Sequence, residues 1–69
     1  MKKMSSIAEA MPEEQARVRE LLLEYVKIGP SGAFGAAIIR QKLAEADQAV
    51  MSGDVVRMIR AYTALQECE

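Results

Sequence analysis

The stretch AAIIRQKLAEADQAVMSGDVVRMIRAYTAL, residues 36–65, decides the fold. Its first part places Ala36, Ile39, Leu43, Ala46 and Val50 at spacings of 3, 4, 3 and 4, the apolar seam of an α-helix. Arg40, Gln41, Glu45, Asp47 and Gln48 fall off that seam and are expected to face water. The helix is expected to run from a Ser31 cap to about Met51. Ser52-Gly53-Asp54 then breaks it, with Gly53 suited to a left-handed C-terminal cap and Asp54 to the N-cap of the next helix. That helix carries Val55, Met58, Ile59, Tyr62 and Leu65 on one face, flanked by Ala61, Ala64 and Cys68. A break this short makes the two helices antiparallel neighbours.

Upstream, Pro12 suits a first helical position, and Glu13 and Glu14 complement the positive end of the helix dipole. Val18, Leu21, Leu22, Tyr25 and Ile28 follow helical spacing, and Leu23 and Val26 widen the apolar arc. Gly29-Pro30 stops this helix, Gly29 by a left-handed cap and Pro30 because it cannot continue. Ser6 and Glu9 have capping-box spacing, so residues 1–11 are expected to form a short helical turn or a flexible arm. No period-two alternation occurs. The expected fold is all-α, a single domain over 1–69. It is a small bundle of three helices, an antiparallel hairpin over 31–68 plus an N-terminal helix over 12–28.

The chain has 69 residues, no histidine, no tryptophan and one cysteine. These counts exclude a Cys/His zinc site, imidazole acid–base chemistry and an intramolecular disulfide. Below about 70–80 residues one apolar core supplies little stability. With no staple, and with helix one apolar over more of its circumference than one neighbour covers, a homo-oligomer is expected. The net charge of −1 argues against DNA or RNA as partner. Lys2-Lys3 is followed by no apolar core of a signal peptide, and no apolar run approaches the ~20 residues of a membrane span, so a cytoplasmic protein is expected.

Gly29-Pro30-Ser31-Gly32-Ala33-Phe34-Gly35-Ala36-Ala37 admits two readings. Glycines leading into a helix N-terminus can cradle an anion. Ser31, Gly32 and Gly35 would then present backbone N–H groups, and Arg40 the charge, with Lys27 beside it. Arg57 and Arg60 would add a basic side of helix three, and Phe34 or Tyr62 a ring for stacking. The segment lacks the Lys-Ser/Thr of a P-loop and the preceding strand of a dinucleotide fold. The other reading is a tight corner in which Gly32, Gly35 and Ala36 let two helices cross closely while Phe34 plugs the core. No carboxylate cluster has metal-loop spacing, no cofactor is implied, and Cys68 beside the terminal carboxylate is a poor nucleophile, so the chain is expected not to be an enzyme.

Gly53-Asp54-Val55-Val56-Arg57-Met58-Ile59-Arg60-Ala61-Tyr62 resembles the turn and second helix of a tetratricopeptide repeat, over about half a repeat, which implies an antiparallel hairpin. Residues 11–69 resemble small uncharacterised proteins encoded by tailed bacteriophages and prophages. They share the acidic first helix, the Gly-Pro-Ser-Gly-Ala-Phe-Gly-Ala-Ala-Ile-Ile corner, Ser-Gly-Asp and the Glu67-Cys68-Glu69 tail. That resemblance implies action on a bacterial host by binding. The candidate roles are a counter-defence sponge that sequesters a phosphate-bearing nucleotide signal, an inhibitor or adaptor that binds a host protein, or a phage assembly accessory.

Overall fold

The computed structural model describes residues 7–68. Helix α1 spans Ile7–Ile28, a 3₁₀ turn spans Pro30–Gly32, α2 spans Ala33–Ser52 and α3 spans Val55–Gln66. The three helices pack against one another, with no strand among the described residues. The all-α bundle is therefore as the periodicity requires.

The first helix begins five residues earlier than Pro12, which lies inside it. A proline there has no N–H for the Ala8 carbonyl, and Ala8 is exposed, so water can take that acceptor. The extra turn is held by burial: Ile7 packs on the core, and Met11, outside the expected helix, is fully buried. Ser6, the other half of the expected capping box, lies outside the described residues.

Ser31 does not cap α2. It sits within the 3₁₀ turn, where the Gly32 N–H donates to the Gly29 carbonyl at 2.9 Å and the Ala33 N–H to that of Pro30. Gly32 takes the N-cap position without a side-chain bond. Gly29 does carry a positive φ of 87°, but with ψ −146°, an extended conformation open to glycine rather than the left-handed cap. Gly53 (φ 73°, ψ 7°) is that cap, and Asp54 accepts from the Arg57 N–H at 3.2 Å. The α2–α3 turn thus matches its sequence reading.

The core comprises Met11, Val18, Ile39, Leu43, Ala46, Ala49, Met58, Ala61, Leu65 and Cys68. Two seams are rotated from expectation. In α2 the buried residue after Ala46 is Ala49, and Val50 is exposed. In α3 the flank Ala61 and Cys68 joins Met58 and Leu65 inside, while Val55 and Ile59 face out and Tyr62 is half-buried. Ala46, Ala49 and Ala61 are all buried, and helices that pack closely admit small residues in place of branched ones within an apolar arc. Ile28 likewise lies outside the core, as do Leu23 and Val26.

Three polar ties join the helices pairwise. Asp47 of α2 accepts from Gln15 Nε2 (2.7 Å) and Arg19 Nη2 (3.1 Å) of α1. Glu45 of α2 accepts both Nε (2.8 Å) and Nη2 (3.2 Å) of Arg57 in α3. From α1, Arg17 Nη2 donates to the carbonyls of Leu65 (2.9 Å) and Cys68 (3.2 Å) while pairing with Glu14. These last bonds tie α1 to the chain at the end of α3, where the Leu65 carbonyl also accepts from the Cys68 N–H at 3.0 Å.

Candidate functional site

At 1.5 Å per residue, the 22 and 20 residues of α1 and α2 give about 33 and 30 Å, against about 18 Å for the 12 of α3. Arg17 marks the level where α3 ends, so the three turns of α1 beyond it have α2 as their helical neighbour. This free end of the α1–α2 hairpin exposes Leu23, Val26, Ile28, Phe34 and Ile38. Phe34 does not plug the core: it is 78% exposed. A second apolar surface, Val50, Met51, Val55, Val56 and Ile59, surrounds the α2–α3 turn, with Met51 79% exposed.

The corner itself is tightly packed. A Cβ on Gly32 would collide with the backbone carbonyl of Tyr25, and one on Gly35 would meet the Tyr25 ring. Ala36 is buried beside them. The close-crossing reading of these three residues therefore holds. The Gly32 N–H is committed within the 3₁₀ turn, which removes it from the set of anion donors.

Two clefts flank the bundle. One, of about 260 Å³, is lined by Tyr25, Val26, Gly29, Pro30, Ala33, Ala36 and Arg40. The other, of about 380 Å³, lies between α2 and α3 and is lined by Glu45, Asp54, Val56, Arg57, Arg60, Ala61 and Ala64. The residues expected to bind an anion are thus divided. Arg40 lies in the first cleft, and Arg57 and Arg60 in the second; Ser31 and Phe34 are exposed near the corner, and Tyr62 packs on the core. In the second cleft the Glu45 carboxylate holds Arg57 in a two-bond pair, and this hydrogen bond pulls the Glu45 carboxyl below its usual range and raises Arg57. With Asp54 also present, two carboxylates offset the two guanidiniums, so the groove offers an anion no net field.

Arg40 differs. The ion pairs among the described residues engage Arg17, Arg19 and Arg57 and leave out Arg40 and Arg60, but Arg60 shares its cleft with two carboxylates whereas none lines that of Arg40. Its apolar surroundings were missed in sequence, although Ala33, Ala36 and Arg40 share one stripe of α2 by their spacing. Cys68 is buried and its thiol points to the Ala64 carbonyl at 3.7 Å. No group of three potential metal ligands is found among the described residues, and no helix among them is long and apolar enough to cross a membrane.

The chain is thus a small three-helix all-α protein with an apolar hairpin end and one cationic cleft. No family model matches it, and neither a curated protein nor a solved structure does.

Proposed function

We propose that this is a non-enzymatic binding protein that associates with copies of itself and blocks or bridges a protein partner through its exposed apolar surface. The observation that carries this reading is the free end of the hairpin, beyond the end of α3, where Leu23, Val26, Ile28, Phe34 and Ile38 are exposed to water. Ordered apolar side chains on rigid helices supply the central anchors that protein interfaces use. The resemblance to small phage proteins makes a bacterial host protein the partner to test first. Nucleotide sequestration has less support, because its expected donors and cations lie on separate surfaces and would need a second chain to converge.

The test combines light scattering after size exclusion with capture from bacterial lysate, using wild type and Phe34→Ser/Ile38→Ser. A multimer together with one stoichiometric protein lost in the double variant supports the reading. A monodisperse monomer that captures nothing, or that releases a nucleotide on denaturation, overturns it.

A further inference from the structure

The Arg40 cleft has a chemistry distinct from the apolar surface around it. Tyr25, Val26, Pro30, Ala33 and Ala36 form an apolar wall, Gly29 contributes backbone without a side chain, and a single guanidinium stands among them. About 260 Å³ accommodates roughly ten non-hydrogen atoms at the packing density of organic solids. That is enough for a short alkyl or aryl chain with its head group. A guanidinium outside the described ion pairs matches a carboxylate through two parallel N–H···O bonds. Within the cleft no second cation stands beside it to balance the second charge of a phosphate ester.

We propose that this cleft binds a small amphiphilic monocarboxylate, its apolar body against Tyr25, Val26, Pro30 and Ala33 and its carboxylate on Arg40. The tight corner gives the wall its shape. Gly32 and Gly35 bring α2 against Tyr25, and the extended Gly29 turns the chain so that Pro30 closes one side. The site goes beyond the protein-partner reading and does not rest on it.

The test is a titration of the ¹⁵N-labelled full chain with octanoate, followed by amide shifts. Wild type is expected to show saturable shifts at Val26, Gly29, Ala33 and Arg40. Binding should weaken at least about tenfold when 1-octanol replaces octanoate, or when Arg40→Gln removes the cation, because each loses a charge-assisted bond. Ala33→Leu, at an exposed first position of α2, fills the cleft and should abolish the shifts while leaving the rest of the apolar surface intact. The proposal is overturned by an absence of saturable shifts at the cleft. Equal binding of 1-octanol, full affinity in Arg40→Gln, survival of binding in Ala33→Leu, or tighter binding of AMP at the same amides would each overturn it as well.

Discussion

Gly32 and Gly35 lie three residues apart and both press on Tyr25, yet they press on different parts of it. Gly32 faces the carbonyl oxygen, which belongs to the α1 backbone and cannot move without the helix; Gly35 faces the ring, which can swing. Gly32→Ala should therefore cost about 2–3 kcal/mol in urea denaturation. Gly35→Ala should stay within about 1 kcal/mol of wild type, because alanine's helix preference offsets displacement of the ring. Similar costs for the two would show that the corner is not pinned by the backbone contact. That glycines occupy this corner is plain in the sequence; which one cannot be replaced depends on what α1 places opposite each.

The helices were legible from local rules, and their joints were not. The Gly53 cap and the Asp54 N-cap involve neighbours in the chain, so sequence spacing identifies them. Arg17 meets Leu65 and Cys68 across most of the chain, and no periodicity points to that contact. Arg17→Met should destabilise the protein by about 1 kcal/mol, since the Cys68 carbonyl loses its Arg17 donor while the Leu65 carbonyl keeps the bond from the Cys68 N–H. Hydrogen exchange should quicken at the last turn of α3 before elsewhere, and uniform quickening would refute this capping role. The Glu45–Arg57 pair joins α2 to α3 and carries a pH signature. The Glu45 carboxyl is lowered by its bond from Arg57, below the ordinary 4.5 that it regains on unfolding. Its contribution is thus present above pH 4.5 and is lost as pH falls through the folded value. Glu45→Gln should lower stability slightly above pH 4.5 and leave the acid end unchanged, flattening part of the acid limb by the same amount, which is small because both side chains are well exposed to solvent. An unaltered acid limb would assign the acid sensitivity elsewhere.

For the whole molecule, the short third helix has the widest consequence. The bundle measures 41 × 27 × 15 Å with a radius of gyration of 12.8 Å, whereas a compact chain of this length is expected near about 11 Å. The excess fits a hairpin that outruns its third member. Native-state hydrogen exchange should accordingly show strongest protection around Val18, Leu43, Ala46 and Leu65, where three helices meet, and weaker protection in the α1 and α2 turns flanking Gly29. Under the proposed self-association, protection in those turns should rise with protein concentration; an even, concentration-independent profile would speak against both. The sequence by itself determined the number of helices, their antiparallel order and the α2–α3 turn, because helical period and caps are properties of residues a few positions apart. It also left too wide an apolar arc on every helix. Only the packed structure decided that Ala49, Ala61 and Cys68 go inside in place of Val50, Val55 and Ile59, and that Met11 completes the core while Phe34 stays in water. The reason is that interior positions are allotted by how near two helix axes come, and that distance is a property of pairs of elements.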